Sequence, residues 1–161
     1  MAVHKLILED VFEDTLCTLI GIHCSIEDYR LAYLINKYLG ISLTRKPKDL
    51  DFNNGITNYS IFEYEDENQL LTWNLASNIC KTETNSNIDY QSLFTTEQKV
   101  IKTYNLIPEY KKVNYFLKID NELHSTKEKH IINKLLEIPQ IAMAYSINVS
   151  TLKSREYLIF N

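Results

Sequence analysis

"TLCTLIGIHCSIEDYRLAYLINKYLG", residues 15–40, decides the fold, because its hydrophobic pattern changes once, from continuous to helical, within a single run. Thr15 to Cys24 is a stretch of β-branched and aliphatic residues, the composition of a strand covered on both faces. Beyond it Leu31, Leu34, Ile35 and Tyr38 recur at helical spacing. Ser25, with Asp28 three positions on, predicts an N-terminal cap close to a capping box, and Gly40 predicts the stop. The predicted helix therefore runs from about residue 26 to 39, directly behind a buried strand.

The same succession recurs near the other end. "VNYFLKI" reads as a strand, "STKE" (125–128) as a capping box, and Ile131, Ile132 and Leu135 as a helical stripe that Pro139 ends. "IAMAYSINV" then returns as a strand, and "SREYLIF" as a short helix or edge strand. In the first unit "ISLTRK" is the strand that follows the helix, ended by Pro47. "ITNYSIFEY" and "LLTWNLASNIC" form a hairpin about the acidic turn "EDEN", residues 65–68. Residues 81–97 are polar and without periodicity, so a mobile loop is expected there, and "KVIKTYNL" follows as a strand. The expectation is an α+β fold forming one domain over residues 1–161. It has a single mixed, largely antiparallel sheet with two amphipathic helices on one face. The similar lengths of the two units point to a ferredoxin-like arrangement, although no residue-level repeat supports it.

Composition narrows the chemistry. With 161 residues, 45% of them hydrophobic, the chain can bury a substantial core. A net charge of -4 gives no general attraction to nucleic acid. The N-terminal "MAVHKLILEDVFED" lacks the apolar stretch and cleavage site of an export signal, and no segment approaches a membrane span. Cys17, Cys24 and Cys80, an odd number, then read as reduced thiols, and the cytoplasm is the expected compartment. Gly21, Gly40 and Gly55 lie too far apart to cradle a phosphate.

No catalytic or metal-binding pattern emerges, and no cofactor is expected. "DLDFNNG" (49–55) resembles the start of a calcium loop, but its glycine falls one residue late and Ser60 stands where the bidentate acid belongs, so a polar turn is preferred. His23 and Cys24 point to opposite faces of their strand, and His124 and His130 do not share a helical face; the latter read as surface residues. No nucleophile elbow exists. An aromatic-lined pocket drawing on Tyr29, Tyr33, Tyr59, Trp73 and Tyr115 is an alternative to an ordinary aromatic core.

Charge is unevenly placed. Residues 49–80 carry six acids, with Glu63, Glu65, Asp66 and Glu67 grouped at the hairpin tip, and no Lys or Arg. Between Glu97 and Lys118 stand Lys99, Lys102, Lys111, Lys112 and Lys118 against Glu97 and Glu109. Two readings follow. The segments neutralise each other across the sheet, or they are separate surfaces facing a partner.

"IPEYKKVNY", residues 107–115, resembles the signature that names the bacterial IPExxxVDY family. Ile107, Pro108, Glu109, Val113 and Tyr115 match it, and Asn114 stands where the signature has Asp. "DYRLAYLINKYLGISLTR", "FEYED" and "SREYLIF" are also similar to its members. The resemblance implies a single intact domain of bacterial origin and no assigned activity. If the acid at position 114 were catalytic, an amide could not take a proton in its place, so the substitution favours a shaped turn. In that turn Val113, Tyr115 and Leu117 are expected to share one sheet face, and Asn114 and Phe116 the other. The leading functional expectation is a non-enzymatic cytoplasmic interaction protein with a protein or ribonucleoprotein partner. Its surface would involve Lys99, Lys102, Lys111, Lys112, Glu65, Asp66 and Glu67. The alternatives are a small enzyme or metabolite-binding module, and RNA contact through Lys99 to Lys112 beside Tyr104 and Tyr110.

Overall fold

A computed structural model of the chain describes residues 17–85 and 99–160. In chain order the elements are β1 (Thr18–Cys24), α1 (Asp28–Leu39), β2 (Thr44–Arg45), β3 (Leu50–Phe52), β4 (Thr57–Tyr59), β5 (Ile61–Asp66) and β6 (Leu71–Ser77). They continue with β7 (Ile79–Asn85), β8 (Lys99–Asn105), β9 (Tyr115–Ile119), α2 (Ser125–Leu136) and β10 (Ile141–Ile147). The fold is α+β. A six-stranded sheet in the order β10-β1-β9-β6-β5-β2 carries it, beside two-stranded ribbons β3-β4 and β7-β8.

Every hydrogen-bonded pair in these sheets is antiparallel. The strands of the second unit, β9 and β10, run parallel across the intervening β1, but β2, expected to complete the first unit, lies at the far edge, and β6 is the strand parallel to β1 across β9. β9 lies between β1 and β6, and β1 lies between β9 and β10. This is the split, ferredoxin-like β-α-β-β-α-β connection, extended at one edge by β5 and β2.

Both helices pack on one face. Ile20, Ile22 and Cys24 of β1 and Leu117 and Ile119 of β9 meet Leu31 and Ile35 of α1 and Ile131 and Leu135 of α2 there. The other face is covered as well, by irregular segments. Leu19, Ile61, Ala76, Phe116 and Ile147 are buried under Leu50, Tyr59, Leu106, Ile107, Val113, Leu152 and Leu158. The continuous apolar run of β1 is explained by these two coverings. Gly21 makes room on the second face, since a Cβ there would lie 2.9 Å from Ile147 Cδ1 and 3.3 Å from Val113 Cγ2.

Several sequence expectations move, each for a tertiary reason. The first helix begins at Asp28, and Ser25 is not its cap; Glu27 holds that position with an extended backbone and no side-chain cap. The amide of Cys24 and the carbonyl of Ile26 are tied to Asn114 and Tyr115, which keeps the connection out of helical geometry. The Ser125–Glu128 capping box does not form either, because His124 is the cap residue. Thr18 Oγ1 accepts from the Leu123 amide and donates to the Asn121 carbonyl, and these contacts fix where α2 starts. Gly40 does end α1, in the left-handed conformation.

The long hairpin is divided between sheets. "ITNYSIFEY" breaks at Ser60 into β4 and β5, and "LLTWNLASNIC" breaks at Asn78 into β6 and β7. The turn falls at residues 67–70, with Asp66 Oδ1 accepting from the amides of Asn68 and Gln69. Pairing moves by an even number of residues, so Phe62, Tyr64, Trp73 and Leu75 still face the helices. Residues 81–85, expected in a mobile loop, are strand; the remainder of that segment, 86–97, lies outside the described residues. "DLDFNNG" becomes the β3-β4 turn, in which Asn53, Asn54 and Gly55 have positive φ. Among the described residues no helix is long and apolar enough to cross a membrane.

Candidate functional site

The segment 105–115 joins the β7-β8 ribbon to the centre of the main sheet. Its two flanking strands do not pair with each other: β8 pairs with β7, and β9 lies between β1 and β6. Ile107 is extended, as a residue before proline must be, and Pro108 opens a one-turn 3₁₀ helix over Pro108–Tyr110 where no amide donor is needed. Ile107 and Val113 are buried in the second face, while Pro108, Glu109, Lys111 and Lys112 are exposed. Val113 therefore sits over Gly21 on the face of Phe116, opposite the face of Leu117, because regular alternation begins only at Tyr115.

Asn78, which the sequence reading did not single out, organises this turn. Its side chain is fully buried; Nδ2 donates to the carbonyls of Tyr110 at 2.9 Å and Val113 at 2.8 Å, and Oδ1 accepts from the Ile107 amide at 2.9 Å. Its own amide donates to the Asn114 carbonyl, and its carbonyl accepts from the Leu106 amide. One asparagine thus satisfies the backbone that the proline turn removes from any ladder. The available signal was weak: Asn78 follows Ser77 as a polar pair between the apolar pairs Leu75–Ala76 and Ile79–Cys80.

The remaining polar groups of the signature are also engaged. Asn114 Oδ1 accepts from the Cys24 amide at 2.9 Å, where the β1-β10 register shifts between His23 and Cys24. The Tyr115 hydroxyl donates to the Ile26 carbonyl at 2.7 Å. Burial, with the charges of Asp28, Cys24 and Glu27 adding to it, pushes that phenol up to about 12. Glu109 reaches across 45 positions of sequence: its carboxylate accepts from the Ser154 hydroxyl and from the amides of Ser154 and Lys153. Partial burial raises its pKa, but these three donors outweigh that and hold the carboxyl below its ordinary range. Lys111 and Lys112 are not its partners. The C-terminal segment, with its short 3₁₀ turn at Arg155–Leu158, is thereby fastened over the second face.

The two segments are neighbours in the sheets, but their charged clusters do not meet. Ser77 pairs with Tyr115 and Trp73 with Ile119, so the acidic tip after β5 and the Lys111–Lys112 turn before β9 stand at opposite ends of the sheet. Glu65 and Glu67 are exposed, whereas Asp66 is half-buried and occupied by its turn. Glu63 pairs with Lys46 at 3.0 Å, and Asp49 with Arg45, so the local counter-charges come from the segment that precedes. Lys99 and Lys102 are exposed on the ribbon, and strand alternation turns them to opposite faces. Lys118 lies within the sheet, paired with Asp120 at 2.8 Å and set over the Phe160 ring.

No family model, no curated protein and no solved structure matches the chain.

The five aromatic residues expected to line one pocket are dispersed. Tyr29 and Tyr33 are exposed at 62% and 65%, Tyr59 lies under the second face, and Trp73 and Tyr115 lie on the helix-covered face. Trp73 instead contributes to a groove at the far end of the helices, lined also by Tyr38, Tyr64, His130 and Lys134. His23 Nε2 is 3.1 Å from the Tyr145 hydroxyl, and His124 and His130 are exposed. The three cysteines are unpaired, and burial holds the thiols of Cys17 and Cys24 above their ordinary range.

Proposed function

We propose that this chain is a non-enzymatic interaction protein of the cytoplasm that holds a protein or ribonucleoprotein partner through the β7-β8 ribbon and the lysines at its root. The observation that carries the reading is the exposure of the ribbon. All of Lys99 to Thr103 is exposed, including Val100 at 42% and Ile101 at 61%. A two-stranded ribbon is marginal alone in water, and apolar residues on both of its faces suit a partner that grips or extends it. No third strand pairs with either edge among the described residues.

On this reading the residues resembling the IPExxxVDY signature form a brace. Asn78, Glu109, Asn114 and Tyr115 commit their polar groups to backbone or to Ser154, which fixes the root of the ribbon against the sheet. A protein surface is favoured over bare RNA, because Lys99 and Lys102 face opposite ways and offer no single phosphate track.

The test is affinity capture from cell extract at moderate salt with three forms of the full chain: wild type, Ile101→Glu with Lys102→Glu, and Glu65→Lys with Glu67→Lys. The expected result is a partner held by wild type and by the tip variant and lost by the ribbon variant. Retention by the ribbon variant, or binding that collapses with salt and follows RNA, would overturn the reading.

A further inference from the structure

We propose that the groove between the C-terminal end of α1, the β5-β6 hairpin and α2 is a binding site for a small molecule that combines a planar apolar ring with an anionic head group. The groove has a volume of about 370 Å³, within the range of small-ligand sites. Tyr64 and Trp73 are directly paired across β5 and β6, so both rings stand on the same sheet face, and Tyr38 of α1 joins them. These rings supply aromatic lining against which another ring can pack.

The charge comes from Lys127 and Lys134 of α2. Lys127, His130 and Lys134 fall at spacings of three and four, so they share one helical stripe, and all three line the groove. Asp66 is the acid on the opposite rim, and its Oδ1 already accepts two backbone amides. Lys127 donates to the neutral Gln69 Oε1, and Lys134 reaches Glu137 at 3.4 Å in an exposed pair; a ligand anion can compete for both.

Trp73 is only 6% exposed, and its indole N–H is buried without a hydrogen-bond partner. A donor this deeply buried is not reached by a ligand in the groove, so Trp73 contributes its ring to the lining. The aromatic lining and the two lysines together select an anionic aromatic compound over a neutral or cationic one.

The site carries its own reporter, because Trp73 is the sole tryptophan and gives a single indole resonance in a ¹⁵N-labelled sample of the full chain. The probes are phenyl phosphate, benzoate, phenol and inorganic phosphate. Phenyl phosphate or benzoate is expected to move the indole resonance saturably, the tighter of the two identifying the head group. Phenol and inorganic phosphate are each expected to bind at least about tenfold more weakly. Lys127→Gln with Lys134→Gln is expected to weaken the aromatic anion by about tenfold or more, while Lys129→Gln, an exposed lysine outside the groove, leaves it unchanged. Added salt should weaken wild-type binding in the same direction. An indole resonance that no probe moves, equal affinity for phenol, or a double variant that binds like wild type refutes the site.

Discussion

Asn78→Ala is the perturbation that most directly probes the brace. The substitution removes three hydrogen bonds, to the Tyr110 and Val113 carbonyls and from the Ile107 amide. A hydrogen bond of this kind contributes about 1 kcal/mol net, and a buried group left without a partner costs about 1–3 kcal/mol. Ile107 is fully buried, so its amide has no access to water; the Tyr110 carbonyl is only partly buried and is charged the smaller figure. With the buried Val113 carbonyl charged like the Ile107 amide, the sum is about 3–7 kcal/mol, a large part of the roughly 5–15 kcal/mol that holds a domain of this size together. For about 160 residues it corresponds to a fall in Tm on the order of 10 °C. Urea unfolding with an unchanged slope is the assay, and hydrogen exchange at the Leu106 and Ile107 amides localises the effect. Asn105→Ala is the control: its side-chain contacts of 3.4 and 3.5 Å are at the limit of a hydrogen bond, and the expected cost is below about 0.5 kcal/mol. An Asn78→Ala variant as stable as the Asn105→Ala control, with both amides still protected, would show that the turn is held by packing alone.

Glu109→Gln is expected to destabilise by up to about 1 kcal/mol at neutral pH, a figure kept small because the carboxylate is exposed. The folded pKa is lowered, so the wild-type advantage is full above the ordinary carboxylate range and closes as pH falls through that lowered value; a gap that widens in acid contradicts the clamp. Tyr115→Phe should cost about 1 kcal/mol for the bond to the Ile26 carbonyl. The raised phenol pKa makes its contribution complete below about pH 10 and lost as pH rises toward about 12, which ultraviolet titration of wild type against the variant can follow. Gly21→Ala places a methyl against Ile147 and Val113 and is expected to cost about 1–3 kcal/mol in thermal unfolding; a neutral result would mean that the second face repacks freely.

Much of the fold was legible because it depends on local patterns. The buried strand before α1, the helical stripe Leu31–Ile35 and its Gly40 stop, and the second unit around Ile131 and Leu135 all follow from hydrophobic period. Two such units are enough to indicate an α+β layer with both helices on one face. Turn chemistry was legible too, at Asn53–Gly55 and at Pro108. The same local rules misplaced both helix starts and the hairpin turn. Contacts from Asn114, Tyr115 and Thr18 fix the helix connections, and a cap preference of about 1 kcal/mol cannot overrule several such bonds.

The sequence by itself determined the two helices, the burial of β1 and the uneven placement of charge, because each is a property of neighbours along the chain. Only the tertiary structure decided that the strands flanking Pro108 belong to different sheets, and that Glu109 clasps Ser154. It likewise decided that Asn78 satisfies the whole turn, and that Trp73 joins a lysine-lined groove apart from the other expected aromatics. Hydrogen bonds spanning 29 to 45 residues leave no periodicity behind them; they form only where packed faces bring distant polar groups within reach.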